Sequence, residues 1–82
     1  MNTQKIDISE RSESTEARDI LKAVYIALDK KGYTPMTQIV GYILSGDPTY
    51  ITSHDNARAM IGRIERDELL EELVRDFLRD VV

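Results

Sequence analysis

Few side chains in this sequence could do chemistry: one histidine, three closely spaced arginines and a hydroxyl-rich N-terminal stretch. His54 has Asp55 beside it, the pairing that orients an imidazole in hydrolases, but no Ser or Cys stands in a nucleophile setting. A histidine in the first turn of a helix is the simpler reading. Glu71 and Glu72 are adjacent, so on a helix they diverge instead of converging on a substrate. Gly32, Gly41, Gly46 and Gly62 lie too far apart for a phosphate-binding loop. Absence of Cys removes disulfides, thiolate zinc sites and cysteine nucleophiles together, and one His cannot build a histidine metal site. We expect no catalytic residue, no metal, no cofactor and no enzyme.

Arg58, Arg63 and Arg66 are the better candidates. At 100° per residue Arg58 and Arg66 stand about 80° apart on a helix, with Arg63 to one side. They read either as a solvated face with partners such as Arg63 to Asp67, or as a guanidinium cluster for a carboxylate or phosphoryl group. A kinase could reach Thr3, Ser9, Ser12, Ser14 or Thr15 in the polar leader, and composition does not choose among them. The tyrosines Tyr25, Tyr33, Tyr42 and Tyr50 fall on or beside apolar faces and read as core-edge residues.

The chain must also position these groups. Its 82 residues allow one domain, and 41% apolar side chains make it globular. A chain this short buries only about 60% of its unfolded surface, so self-association is expected in place of disulfides or metals. Eleven Lys and Arg against fifteen Asp and Glu give a net −4, which disfavours nucleic-acid binding. No apolar run approaches a membrane span and no signal-type segment follows Met1, so no membrane insertion and a cytoplasmic location are expected.

Residues 1–14 read as a flexible regulatory tail and 15–82 as a helical dimerisation and interaction domain. From about Ser14, Ala17, Ile20, Leu21, Val24 and Leu28 step at helical spacing to a Gly32 C-cap. Thr34-Pro35 opens a second helix whose Met36, Ile39, Val40, Ile43 and Leu44 make it apolar on most sides, hence the expected central element. Gly41 within it implies a close helix–helix approach. Gly46-Asp47-Pro48 is a turn, Thr49-Tyr50-Ile51 an extended connection, and Thr52 with Asp55 a capping-box pattern before a third helix through Ala57, Met60, Ile61 and Ile64. The charged stretch Glu65–Glu68 reads either as a break or kink, which is favoured, or as the solvated face of one long helix. The last helix, about 67–80, carries Leu69, Leu70, Leu73, Val74, Phe77, Leu78 and Val81 over nearly half its circumference. That is wide for a small monomer, and Leu70, Leu73, Val74 and Phe77 are the expected dimer interface. The fold class is all-α: a compact bundle of four to five short helices, homodimeric, with a flexible N-terminal tail.

The run Lys31-Gly32-Tyr33-Thr34-Pro35 through Gln38-Ile39-Val40-Gly41-Tyr42 to Ser45-Gly46-Asp47-Pro48, with Ala57-Arg58, Glu65–Glu68 and Glu71–Val74, closely resembles the signature of the IreB family of regulatory phosphoproteins. The resemblance spans roughly residues 17–78. It implies a small cytoplasmic all-helical homodimer of the Gram-positive type that includes ReoM-like regulators of MurA turnover. It implies phosphorylation by a transmembrane Ser/Thr kinase that senses the cell wall. It further implies control of peptidoglycan synthesis and cephalosporin tolerance, through MurA or a Clp protease component as protein partner. By the same resemblance the phosphoacceptor is Thr3, ahead of the alternating Gln4–Ile8 segment. Arg58 and Arg66 match the family pattern directly. Thr52-Ser53 stands where the family commonly has Pro-Arg, and Gly62-Arg63 where it has Arg-Arg or Arg-Lys, thinning the implied partner-binding basic surface to Arg58, Arg63 and Arg66. The alternative, from another class, is a helix-turn-helix-like nucleic-acid binder built on the second and third helices.

Overall fold

A computed structural model describes the backbone over residues 2–81 and the side chains over residues 16–81. Four α-helices follow in order: α1 Asn2–Lys30, α2 Pro35–Ser45, α3 Ala57–Ile61 and α4 Arg66–Phe77. Two 3-10 turns, Pro48–Tyr50 and His54–Asn56, join α2 to α3, and no strand occurs among the described residues. The all-α expectation therefore holds. The α1 span begins ahead of the expected start near Ser14, and no Pro or Gly before Gly32 interrupts it. The expected tail, residues 1–14, lies outside the residues whose side chains are described.

The α1 helix organises the rest. Ala17, Ile20, Val24, Ala27 and Leu28 recur at three- and four-residue spacing, and all five are buried. Against this stripe pack α2, α3, α4 and the His54–Asn56 turn. Ile51, Ala57, Ile61, Tyr42 and Leu69 complete the core from the other segments. Gly32 ends α1 with φ +84°, and Tyr33 N–H reaches the Leu28 carbonyl at 3.0 Å while Gly32 N–H reaches Asp29 at 3.1 Å. This pair of bonds is the Schellman arrangement expected of a C-terminal glycine.

The α2 helix is not the central element. Among its residues only Tyr42 is buried, while Met36, Val40 and Leu44 face outward. An apolar surface states that it wants covering, not which chain covers it. Thr34 occupies the N-cap and Pro35 the first helical position as expected, but the Thr34 side chain makes no cap bond. Gly41 is needed for a close approach, though not of a helix. The Tyr50 ring lies over it, so that a Cβ built on Gly41 would stand 2.5 Å from Cε1.

The connection to α3 departs from the extended reading. Asp47 caps the Pro48–Tyr50 turn, its Oδ1 accepting from Thr49 N–H at 3.0 Å and Thr49 Oγ1 at 2.7 Å. The capping-box pattern at Thr52 and Asp55 does not form. Thr52 Oγ1 accepts instead from His54 N–H at 3.2 Å. Asp55 and Asn56 both take left-handed backbone, at φ +51° and +65°, before α3 begins. A capping box does close the start of α4, where Glu68 Oε1 accepts from Glu65 N–H at 3.3 Å. The break expected near Glu65–Glu68 falls at its N-terminal edge, in the Gly62–Glu65 link between α3 and α4.

Candidate functional site

Each of the three arginines already holds part of the fold. Arg58, on α3, donates Nε–H to the Ile51 carbonyl at 2.8 Å. Arg66, the first residue of α4, donates from Nη1 to the Ile43 carbonyl at 2.9 Å. Its guanidinium lies over Gly46, where a Cβ would stand 2.8 Å from Cζ. Gly46 is left-handed at φ +77°, so both its backbone and its close neighbour call for glycine. A cation on a carbonyl in the last turn of α2 also suits the negative end of that helix. Arg58 and Arg66 therefore anchor the two ends of the Gly46–Ile51 connection.

Arg63 is placed elsewhere. Its Nη2 pairs with Glu16 Oε2 of α1 at 3.1 Å, not with Asp67. Both side chains are largely exposed, so the pair contributes little to stability, about 0–1 kcal/mol. Sequence spacing along one helix could not show this, because a break at Gly62 intervenes. A guanidinium carries five N–H donors in a planar fork. An arginine bonded to one main-chain carbonyl is thus oriented and retains further donors for a carboxylate or phosphoryl group.

Asp47 is the anionic neighbour of this region. The Thr49 hydroxyl and N–H, with the Arg58 charge adding a smaller effect, hold its carboxyl below the ordinary range. His54 and Asp55 form an exposed contact, Nε2 to Oδ2 at 3.3 Å, and Lys30 Nζ joins the same Oδ2 at 3.7 Å. The grouping ties the end of α1 to the left-handed turn. Among the described residues no group of three or more His, Asp or Glu side chains is placed to hold a metal ion.

The second surface is apolar. Leu70, Leu73, Val74 and Phe77 of α4 all stand exposed, Phe77 at 87%. Only Leu69 anchors α4 into the core, together with an ion pair from Arg18 to Asp76 at 3.1 Å. The outward row of α2 was not legible as a surface, because its residues read as core; Leu44 is 79% exposed. Thr3 lies outside the residues whose side chains are described. Among the described residues, no helix is long and apolar enough to cross a membrane.

The family model described as "IreB regulatory phosphoprotein" matches residues 1–79. The chain belongs to the IreB family. It is similar to a UPF0297 protein of Acetivibrio thermocellus, 58% identical over 73 residues, covering 89% of this chain and 81% of that relative. The match to the IreB model runs through the leader that holds Thr3 as well as through the helices that carry the arginines.

Proposed function

We propose that this IreB-family chain is a non-enzymatic regulator, switched by phosphorylation of Thr3, that works by binding other proteins as a homodimer. The observation that carries the reading is the match to a model of regulatory phosphoproteins over residues 1–79, leader included. A phosphothreonine adds about −1.5 to −2 charges and three strong acceptors, taking the formal net charge from −4 to about −6. Arg58 and Arg66 are its docking partners, in the same subunit or its mate, while Arg63, paired with Glu16 of α1, stands apart as a further cation for a protein partner. Their bonds to Ile51 and Ile43 fix the orientation of each guanidinium beforehand. Docking the tail there covers a surface that a protein partner uses, so one modification changes binding without refolding the domain.

The homodimer is held by Leu70, Leu73, Val74 and Phe77, whose exposure on a helix with a single core anchor supports the assignment. In the cell we place the protein in the cytoplasm as a substrate of a transmembrane Ser/Thr kinase. There it controls peptidoglycan synthesis and cephalosporin tolerance by modulating Clp-dependent turnover of MurA. The helix-turn-helix alternative gains no support from a five-residue α3, too short to read a groove.

The test is kinase treatment followed by mass spectrometry, then capture of partners with unmodified and Thr3-phosphorylated protein. Phosphate at Thr3, loss of the response in Thr3→Ala, and partner capture that differs between the two states are expected. Phosphate confined to Ser12 or Ser14 overturns the switch assignment.

A further inference from the structure

The arginines of this chain divide into two sets. Among the described residues Arg18, Arg63, Arg75 and Arg79 each pair with a carboxylate. Arg58 and Arg66 pair with none, and their bonds go to the Ile51 and Ile43 carbonyls. A carbonyl orients a guanidinium without cancelling its charge.

One acid stands in the connection they anchor. Asp47 follows Gly46, over which the Arg66 guanidinium lies, and the same connection ends at Ile51, which holds Arg58. Tyr50 N–H on the Asp47 carbonyl at 3.2 Å and Ile51 N–H on the Pro48 carbonyl at 3.0 Å close the turn between them. The Asp47 side chain is exposed, and its two bonds from Thr49 both fall on Oδ1, leaving Oδ2 open. Those bonds, with a smaller effect of the Arg58 charge, hold the carboxyl below its ordinary range, so it is ionised at neutral pH.

A fixed negative charge here acts on whatever binds the arginines. It repels a bare phosphoryl or carboxylate group and attracts a cation carried beside one. Sites separate ligands of similar charge by such a penalty on the wrong one. The ligand that fits is therefore an anion with a cation a short step along the chain. The leader supplies one in Thr3-Gln4-Lys5. Two residue steps span at most about 7 Å in any backbone conformation. At that spacing Ser12, Ser14 and Thr15 are followed by Ser14, Glu16 and Ala17, while Ser9 has Arg11 behind Glu10.

We propose that Asp47 sets the register of the docked leader, taking the Lys5 ammonium while phosphorylated Thr3 lies on Arg58 and Arg66. This deepens the docking of the tail proposed above and rests on it. Asp47 thereby selects the segment around Thr3 over acidic segments that lack the lysine.

The test uses a fluorescent peptide of residues 1–10, phosphorylated at Thr3 and N-acetylated so that Lys5 is its only cation. A second peptide carries Lys5→Met, a change that cannot disturb the fold of the protein. Fluorescence anisotropy measures both against the full-length chain and its Asp47→Asn variant. Asn keeps an acceptor for Thr49, so the turn keeps its cap. Lys5→Met is expected to weaken binding to the wild-type chain about two- to fivefold, the worth of an exposed ion pair, and not to weaken binding to Asp47→Asn. That difference should shrink as salt is raised, which a merely structural role for Asp47 would not produce. Equal losses on the two chains overturn the Asp47–Lys5 contact and leave the docking standing. A phosphopeptide that binds neither chain, or binds Arg58→Gln as tightly as wild type, overturns both.

Discussion

Replacing Gly41 with alanine sets two effects of known sign against each other. In a helix interior alanine is favoured over glycine by about 1 kcal/mol. Here the new Cβ would stand 2.5 Å from Tyr50 Cε1, 2.7 Å from Cδ1 and 3.0 Å from Cζ. These are atoms of one rigid planar ring, which moves only as a unit, not the free end of a flexible chain. The Tyr50 main chain is also held, its carbonyl accepting from Gln38 Nε2 at 3.0 Å and its N–H bonded to Asp47 at 3.2 Å. Ring and turn must shift together, and overpacking of this kind costs about 1–3 kcal/mol.

The net expectation for Gly41→Ala is therefore a loss of about 0–2 kcal/mol. For a domain of this size each kcal/mol is worth about 4–8 °C in Tm. A double-mutant cycle removes the ambiguity. In a Tyr50→Ala background the ring is gone and Gly41→Ala should stabilise by about 1 kcal/mol, so the coupling energy equals the clash, about 1–3 kcal/mol. Chemical denaturation at fixed protein concentration measures all four corners, the fixed concentration keeping any dimer contribution constant. Equal effects of Gly41→Ala in both backgrounds would refute the account of why glycine stands there. Because Arg58 and Arg66 anchor the connection that carries Tyr50, the same variant should weaken any partner binding that depends on those arginines.

Gly46→Ala combines a left-handed backbone with the Arg66 guanidinium overhead, and should cost about 1–2 kcal/mol by calorimetry. Asn56→Gly relieves a left-handed position that carries a side chain and should raise stability by several tenths of a kcal/mol, again by calorimetry. Asp47 has a depressed folded-state carboxyl, so its contribution to stability is complete above the ordinary carboxylate pKa of about 3.9 and is lost as pH falls through the lower folded value. Thr49→Val removes the hydroxyl bond, so an NMR titration should move the Asp47 midpoint up towards the ordinary range and narrow that acid-side window. Phe77→Glu, at the most exposed apolar position of α4, should raise the dimer Kd by about 10–100-fold in sedimentation, the worth of one buried aromatic side chain.

The parts of this fold legible in sequence are those whose signals are local. The α1 stripe, the Gly32 cap, Pro35 at the start of α2 and the turn at Gly46 each follow from a few adjacent residues, and each is found where those residues stand. The failures are all non-local. Gly41 signalled a close approach, but nothing near it in sequence identified an aromatic ring nine residues on. Thr52 and Asp55 carry the spacing of a capping box, yet Asp55 instead contacts His54 and Lys30, a partner from the end of α1. The arginine cluster follows from the sequence only if one continuous helix carries all three residues. The break at Gly62–Glu65 sends Arg63 to Glu16 and Arg66 to the end of α2, leaving Arg58 and Arg66 related through a connection that the helical wheel does not contain.

The outward apolar row of α2 bears on function most directly. Periodicity reports that a helix has apolar sides; it says nothing about whether the covering surface belongs to the same chain. With 82 residues and one narrow stripe on α1, there is enough apolar surface to bury one side each of α2, α3 and α4 and no more. What remains outside is not scattered. It lies on α2 and α4, one without charge and one acidic, while Arg58 and Arg66 are held in place by main-chain carbonyls. A phosphoryl group arriving at those guanidinium groups would therefore act on a surface whose shape is already set, and its effect on a partner would be one of charge and coverage. A variant such as Arg58→Gln, whose side chain is on α3 and away from the apolar row of α4, should then weaken the response to phosphorylation while leaving the dimer intact. Loss of the dimer in that variant would show that the two surfaces are one.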